Sequence, residues 1–425
     1  MKKYLLIVAV IFGVASCSER STDDDLAYLD RQEKQGTIRS VDEALQIAET
    51  SINMLESSST TRSALGRQIA VDKTRVYKLK EKTRTEENDT LLYVVNFENN
   101  EGFAVIAAPR SVEPLLAITE SGYYDPEELT DIEGFNEFME MAKRYVMERY
   151  NANELRSLDL YYKDEIITLE DPVGPYVTVK WGQTQPEGYY CSNGYSGCTN
   201  TAIAQIMTHY EYPTSISLTY PGADISTQSL NWTQMRLHQT QHPFVLCPNP
   251  DVHKSIGRLL RQIGELNSSI YHPVNENDTL TGTGTQSKIH VPDTMHDLGY
   301  QIGDTANIYS QTYVKNHLDE NHVFFIRGQK TEKTGGHAWI LDGYDNVTIT
   351  HNLYYREGPS AEWLLISTTI TNAFYVHYNW GWYGNCNGYF NGGVYDTQAG
   401  ISYDTSTHTA IKNYQYKNWY LPIFR

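Results

Sequence analysis

The chain is poor in cysteine, with five among 425 residues. It has no C-x-x-C pair and no H-E-x-x-H motif, so the common zinc-binding patterns are absent and no metal or organic cofactor is expected. Three cysteines, Cys191, Cys247 and Cys386, lie outside the motifs described below. Because their number is odd, they allow one disulfide at most.

Positive charge is scarce as well. Lysine and arginine number 34 against 52 aspartates and glutamates, which gives a formal net charge of −18. Nucleic-acid-binding proteins neutralise phosphates with basic patches or stripes. This sequence has no basic stripe, so nucleic acid is excluded as an expected partner.

Long hydrophobic runs are missing too, since none approaches the roughly 20 residues of a membrane-spanning helix. The run from Tyr4 to Val14 follows Lys2 and Lys3 and leads into Val14-Ala15-Ser16-Cys17. This pattern predicts a signal peptide over residues 1–17 that ends in a lipoprotein cleavage box, with a lipid on Cys17. The mature protein is then expected to contact a membrane only through that lipid.

An acidic triplet, Asp23 to Asp25, lies in the linker predicted for residues 18–36. It resembles the signals that send lipoproteins to the surface of some Gram-negative bacteria, and a solvated linker is the equally weighted alternative. The sequence predicts an outer-membrane lipoprotein of a Gram-negative cell envelope. Surface and periplasmic orientations both stay open, as does release of the mature form.

Charge divides the rest of the chain into two parts. Residues 18–170 hold 18 basic and 32 acidic side chains, whereas residues 171–425 hold 14 and 20 in a much longer segment. We expect a small domain over residues 37–170 and a larger, tyrosine-rich domain over residues 171–425. Within the first, residues 41–57 and 133–150 are predicted to be helical, and an antiparallel sheet is predicted from strands at 91–97, 103–108 and 115–124.

One cysteine stands where chemistry is expected. Cys198 follows Gly197 and opens a segment whose apolar residues recur at helical spacing until Pro213. A helix N-terminus carries partial positive charge and unpaired N–H groups, which favour a thiolate and lower a cysteine pKa. Cys198 is therefore a candidate nucleophile, although a lone cysteine is often only a small buried side chain.

Two later clusters supply the other groups that a thiol hydrolase needs. His337 follows a glycine pair and opens an apolar strand, and Asn379 ends a second strand just before Trp380. A thiolate, a base that moves its proton, and a group that orients the base would together make a catalytic triad. His377, two residues before Asn379, is the alternative base.

These motifs resemble the streptopain family of bacterial papain-like cysteine peptidases. The resemblance rests on the Gly-Cys helix with its Ala-Gln-Ile-Met continuation, on Gly-Gly-His-Ala running into Asp342-Gly343, and on Asn-Trp-Gly-Trp from Asn379. It extends to residues 96–123, which look like the inhibitory pro-domain of that family. The resemblance implies an α+β fold: a papain-like, two-lobed domain with a helical lobe and an antiparallel sheet lobe, preceded by a small α+β inhibitory pro-domain.

Carried over by motif, the resemblance makes Cys198 the nucleophile and His337 the general base and acid. Asn379 would orient the imidazole, and Trp380 would shield that hydrogen bond from water. The side chain of Gln183, in a Trp-Gly-Gln segment before the nucleophile, would contribute to the oxyanion hole together with the backbone N–H of Cys198. Tyr383 stands where the family often has glycine, and a narrower groove is one consequence.

The expected function is that of a secreted, lipid-anchored cysteine endopeptidase made as a zymogen. Its partners would be protein or peptide substrates and its own pro-domain, acting as an intramolecular inhibitor. We expect the activating cut between Leu160 and Gly174. Two alternatives remain: another cysteine amidase, such as a cell-wall peptide hydrolase or a transglutaminase-like enzyme, and a non-catalytic surface lipoprotein that binds glycans.

Overall fold

The computed structural model describes most of the chain. The described residues are 38–57, 67–78, 90–126, 128, 130–150, 160–168, 172–237, 249–272, 282–329, 336–356, 361–395, 403–404, 409–410 and 418–425. The predicted signal peptide, Cys17, the linker and Gly335 lie outside them. Among the described helices, none combines the length and apolar character needed to cross a bilayer.

Seven α-helices are found in the described residues. They are α1 (Val41–Ser57), α2 (Glu133–Arg149), α3 (Cys198–Tyr210), α4 (Trp232–Leu237), α5 (Pro250–Leu266), α6 (Ser287–Asp297) and α7 (Gln311–Asp319). The helices predicted at 41–57 and 133–150 are confirmed. Helix α1 begins with a capping box, in which the Ser40 amide donates to Glu43 at 2.6 Å and the Glu43 amide donates to the Ser40 hydroxyl at 3.2 Å.

The strands pair antiparallel throughout the described residues. They are β1 (Arg75–Lys78), β2 (Thr90–Asn96), β3 (Phe103–Ala107), β4 (Leu115–Thr119), β5 (Leu160–Thr168), β6 (Ser215–Ser217), β7 (Thr227–Ser229), β8 (Ile270–His272), β9 (Gly282–Gly284), β10 (Gln301–Ile302), β11 (Val323–Gln329), β12 (Gly336–Tyr355), β13 (Leu364–Asn379), β14 (Gly388–Asn391), β15 (Tyr403–Asp404), β16 (Thr409–Ala410) and β17 (Trp419–Phe424). The predicted α+β class is confirmed. The strand predicted at 115–124 ends earlier, at Thr119, since the chain then turns through Gly122, whose φ is +99°.

One sheet joins the two halves of the molecule. Its order in the described residues is β1-β2-β3-β4-β14-β13-β12-β11-β17-β10, with β5 also paired to β12. The junction is the pairing of β4 with β14, in which Ala117, Ile118 and Thr119 lie opposite Phe390, Tyr389 and Gly388. The sheet of the N-terminal half therefore continues directly into the sheet of the larger domain.

Helices cover this sheet and form its cores. Helix α2 buries Phe135 and Phe138 against the sheet, and the ring of Phe138 meets that of Phe390 at 4.7 Å between centroids. Helix α3 packs on the other face with α5, where Ile203 and Ile263 are fully buried. This second core is the helical lobe, and it carries Cys198.

Strand β5 occupies the region where we predicted the activating cut. All nine of its residues pair with β12, from Thr168 opposite Val347 to Leu160 opposite Tyr355. Asp164 is buried there and accepts a hydrogen bond from Arg39 at 2.8 Å. A cut within this strand would need the strand to leave the sheet first. The cut position stays a prediction.

Candidate active site

Cys198 is the first residue of α3, as the sequence predicted. Gly197 precedes it with φ of +90°, and a Cβ there would stand 2.9 Å from the Cβ of Thr283. Glycine is required at such a turn because other residues rarely adopt this conformation. The turn directs the partly exposed Cys198 to the positive end of the helix.

The segment that carries Gln183 is tied to the start of the same helix. The Ser196 amide donates to the Gln183 carbonyl at 2.8 Å, and the Thr201 hydroxyl donates to the Gly182 carbonyl at 3.1 Å. Gln183 is 9% exposed, and no hydrogen bond of its side-chain amide is recorded within the described part of the chain. The segment is thus fixed beside the nucleophile, while the role of Gln183 as an oxyanion donor stays a prediction.

His337 stands at the beginning of β12 and is 3% exposed. Its ring interacts electrostatically with the side chain of Cys198, and this interaction shifts the pKa of both groups. Its Nε2 atom donates to the backbone carbonyl of Trp380 at 3.2 Å. The structure therefore brings the two principal candidates together, one from the helical lobe and one from the sheet.

The charges of this pair favour ionisation of both groups. Burial by itself would raise the pKa of Cys198, but the charge and hydrogen bond of His337 hold that pKa below its usual value. Burial would also lower the pKa of His337, yet the interaction with Cys198 raises it. These opposite shifts both favour a thiolate beside an imidazolium over a neutral thiol beside a neutral imidazole.

Asn379 does not have the partner that we predicted. Its amide donates to the Val179 carbonyl at 3.0 Å and to Gln205 Oε1 at 3.2 Å, and its oxygen accepts from the Gly381 amide at 3.1 Å. The reason is strand alternation: Asn379 lies opposite Ile340, and three positions separate Ile340 from His337. In this structure the Trp380 carbonyl holds the imidazole instead.

Trp380 is fully buried next to His337. Its indole N–H donates to the Cys386 carbonyl at 2.9 Å, and its ring lies 5.4 Å from that of Trp339. The ring belongs to the buried aromatic cluster around Trp339. It covers no His337–Asn379 bond here, because the two residues are not joined.

His377, the alternative base, is engaged elsewhere. Its Nδ1 lies 2.7 Å from Asp342 Oδ1, and its Nε2 lies 3.5 Å from Glu120 Oε1. Burial would lower its pKa, but the two carboxylates raise it to about 9. A ring held this way stays protonated near neutral pH and is a poor base, which favours His337 for that role.

The N-terminal half reaches the candidate site through the first turn of α2. A Cβ on Gly134 would stand 2.7 Å from two ring carbons of Trp380 and 2.8 Å from Cδ2 of His337. The Glu133 charge raises the pKa of both Cys198 and His337. The charge of Glu133 therefore disfavours the thiolate form of Cys198 and favours the imidazolium form of His337.

Sequence reasoning missed three residues near the site. Gln205 accepts from the Trp181 amide at 3.1 Å and contacts Asn379, and its place two turns after Cys198 was a usable signal. Burial raises the pKa of Glu187 to about 8, and its carboxylate accepts from the Gly182 amide at 3.1 Å. Arg327, half-buried on β11, interacts electrostatically with Cys198.

Tyr383 lies on the Gly182–Thr184 segment. A Cβ on Gly182 would stand 2.2 Å from its ring, and its hydroxyl accepts from the Thr184 amide at 2.9 Å. The Tyr383 ring thus packs over the backbone of Gly182, immediately before Gln183.

The arrangement can perform nucleophilic chemistry on an acyl carbon. A thiolate, a protonated imidazole that can supply a proton, and backbone N–H groups at a helix start meet in one place. Within the described ranges, no cluster of three or more histidine, cysteine, aspartate or glutamate side chains has the geometry to hold a metal ion.

Known proteins resemble both halves of the chain. Residues 178–390 match the model of the Peptidase C10 family, and residues 36–146 match that of the Spi protease inhibitor family. The thiol protease/hemagglutinin PrtT of Porphyromonas gingivalis is 22% identical over 366 residues, spanning 77% of this chain and only 37% of PrtT. Streptopain of Streptococcus pyogenes serotype M1 is 24% identical over 345 residues, which cover 70% of this chain and 73% of streptopain. A solved prointerpain A fragment from Prevotella intermedia covers 82% of this chain and 98% of its own length, at 17% identity and a TM-score of 0.48.

Proposed function

The chain belongs to the peptidase C10 family, as its motifs predicted, and we propose that it is a lipid-anchored cysteine endopeptidase of the cell envelope. It is a cysteine peptidase, and its inhibitor-type pro-domain makes it a protease zymogen. The observation that carries the proposal is the electrostatic interaction of Cys198 at the start of α3 with His337 at the start of β12, which lowers the pKa of the thiol and raises that of the imidazole.

The proposed reaction uses only residues of this chain. The Cys198 thiolate attacks the peptide carbonyl, and the developing oxyanion is held by the Cys198 amide and the Gln183 side chain. The His337 imidazolium gives its proton to the leaving amine as the C–N bond breaks, which leaves a thioester. The neutral imidazole then takes a proton from water as the water oxygen attacks the thioester. The C–S bond breaks, the acid product leaves, and the Cys198 thiolate beside the His337 imidazolium is restored.

Latency has a physical basis in the pro-domain contact. Gly134 packs against the His337 and Trp380 rings, and the charge of Glu133 offsets part of the lowering of the Cys198 pKa that His337 causes. We expect removal of the pro-domain to free the cleft for substrate. The cut between Leu160 and Gly174 is proposed to be made by the enzyme itself.

The proposed location is the outer membrane of a Gram-negative cell, with the lipid on Cys17. The Lys2–Cys17 pattern of the sequence supports this proposal. Cleavage of the pro-domain would separate the peptidase from its anchor. Catalytic domain that stays in the membrane fraction after complete processing would contradict release, and a Cys17→Ser chain that is still lipidated would contradict the anchor.

The full chain and its Cys198→Ala variant test the activity side by side. The wild type is expected to process itself, to cleave casein and to react at Cys198 with an epoxysuccinyl inhibitor, and the variant to do none of these. A chain that cuts peptidoglycan stem peptides but not casein would indicate a cell-wall amidase. A chain that never reacts with the inhibitor, even after its pro-domain is removed, would be no thiol peptidase.

A further inference from the structure

A carboxylate of the pro-domain enters a cationic pocket of the peptidase half. Glu120, the residue after β4, places Oε2 3.1 Å from Lys180 Nζ and Oε1 3.5 Å from His377 Nε2. The side chain of Glu120 is 18% exposed and that of His377 is 3% exposed. We call the pocket formed by Lys180, His377 and Asp342 the carboxylate socket.

The socket is built by the peptidase half alone. Asp342 is completely buried, and its two oxygens are engaged by His377 at 2.7 Å and by the Val177 amide at 2.8 Å. The stem of Lys180 passes Gly384 so closely that a Cβ there would stand 2.5 Å from its Cδ. Contacts within the peptidase half thus hold both cations, in addition to their contacts with Glu120.

The charges of the socket suit a carboxylate. Lys180 and the protonated His377 bring two positive charges, and Asp342 supplies one negative charge. Glu120 supplies the second, and it is the acidic group that faces His377 Nε2. His377 is buried and its Nε2 faces this carboxylate, so the socket without Glu120 favours another carboxylate in the same place.

A strand delivers this carboxylate in a fixed register. Thr119 lies opposite Gly388, and the amide of Glu120 then donates to the Asn387 carbonyl at 2.7 Å. Side chains alternate along a strand, so Ile118 and Glu120 face the same side. Ile118 is fully buried there beside Tyr389.

We propose that removal of the pro-domain converts the socket and the β14 edge into a docking site for protein substrates. This inference rests on the proposed function, because it requires the pro-domain to leave. The occupant is an extended segment that adds as a strand to β14 and puts an acidic side chain between Lys180 and His377. Main-chain hydrogen bonds along the added strand supply affinity, and the acidic side chain supplies specificity.

The socket is tested first in the full, uncleaved chain, made inactive by Cys198→Ala. Adding Glu120→Ala is expected to lower the thermal midpoint, and formate or acetate should restore at least half of the loss. Chloride at equal ionic strength should not. If the variant is insoluble, its soluble yield on refolding in formate against chloride gives the same answer.

Two variants control the salt experiment. Glu140→Ala removes another pro-domain carboxylate paired to a lysine, at 2.8 Å from Lys143, but Glu140 is 42% exposed. It should show no specific response to formate. Adding Lys180→Met to Glu120→Ala should abolish the recovery. Recovery that is equal in chloride, or unaffected by Lys180→Met, would overturn the socket.

Docking is tested on the enzyme after processing. The probe is the peptide Leu-Leu-Ala-Ile-Thr-Glu-Ser-Gly-Tyr, which copies residues 115–123, with a matched peptide that has Gln in place of Glu. The Glu peptide should inhibit casein cleavage but not hydrolysis of a short fluorogenic peptide. The Gln peptide should be about tenfold weaker, since a charge-assisted bond is lost.

The outcomes separate this inference from the proposed function. Equal inhibition of casein and the short peptide would place the probe in the catalytic cleft, and equal potency of the Glu and Gln peptides would remove the socket from recognition. Either result overturns the docking proposal. An enzyme that hydrolyses neither substrate would defeat the proposed function, while the salt experiment on the inactive precursor would still decide the socket.

Discussion

His337 and His377 lie on neighbouring strands, and their surroundings raise the pKa of both rings, but with different partners. His337 meets a thiol and a neutral backbone carbonyl. His377 lies between two carboxylates, Asp342 and Glu120. A histidine whose partner is itself a nucleophile can transfer its proton during a reaction. A histidine between permanent anions holds its proton and acts as a structural cation.

Replacing His337 should have the largest effect. His337→Ala removes the proton carrier, and hydrolysis of casein should fall by at least about 10⁴-fold, as when a member of a catalytic triad is lost. The exposed His296 gives a matched control, since His296→Ala should process and cleave normally. Casein cleavage within tenfold of wild type would transfer the role of base to another group.

Replacing His377 should instead affect stability. His377→Gln leaves the fully buried Asp342 without its cation, and breaking such a pair costs about 3 to 5 kcal/mol. Urea unfolding of the Cys198→Ala precursor, with and without His377→Gln, measures this cost. A loss below about 1 kcal/mol would show that Asp342 finds another partner.

The pH dependence of stability sharpens the comparison. Burial would raise the pKa of Glu120, but His377 and Lys180 hold it below the usual range, so its contribution is present above about pH 4.3 and is lost as the pH falls below that value. The pKa of His377 is raised to about 9, so its contribution is complete below about pH 6.5 and is lost as the pH rises through 9. Both contributions are complete between about pH 4.3 and pH 6.5, so we expect the precursor to be most stable in that range.

Glu120→Gln separates the two limbs of that profile. The variant should lose about 2 kcal/mol near pH 5.5, the contribution of a charge-assisted hydrogen bond, and its acid limb should be flatter than that of wild type. Unfolding midpoints at pH 3.5, 5.5 and 9.5 give the comparison. An acid limb that is unchanged would assign acid sensitivity to other carboxylates, such as Asp164.

Gly134→Ala tests the other contact between pro-domain and active site. The new Cβ would overlap His337 and Trp380, and after the gain in helix propensity the contact should weaken by about 1 kcal/mol. Labelling of Cys198 by iodoacetamide in the uncleaved chain should then be several times faster. Met147→Ala, on the exposed side of α2, should leave the rate unchanged.

Arg327→Gln should have the smallest effect. Removing a cation that interacts with Cys198 should raise the pKa of the thiol by less than about one unit, since the interaction is partly screened by solvent. The pH dependence of alkylation in the processed enzyme measures this shift. Arg261→Gln, whose partner is Glu265 on the surface of α5, serves as the control.

The sequence predicted those parts of the site that depend on local pattern. Cys198 was identified because a glycine turn and a helix start are encoded by adjacent residues, and His337 because glycines precede an apolar strand. Asn379 was placed on the correct strand, but its partner depends on which face it occupies opposite Ile340. That register is set by the whole hairpin, and a motif does not encode it.

Contacts between the two halves carried no local signal. Glu120 reads as one acid among many in an acidic domain, and nothing around it in the sequence points to Lys180 or His377. In the sequence, Gly134 likewise resembles an ordinary glycine that lowers the stability of a helix. Its meaning follows only from the rings of His337 and Trp380 that lie against it.

The pairing of β5 with β12 has a consequence for the new N-terminus that activation creates. A cut before Leu160 would leave the mature enzyme with an additional strand already seated in its sheet. A cut after Thr168 would send that strand away with the pro-domain, and nine cross-strand residue pairs would have to separate. Dissociation of the cleaved pro-domain would then be slower than the cleavage itself. A cleaved but still inactive complex of pro-domain and peptidase domain should accumulate.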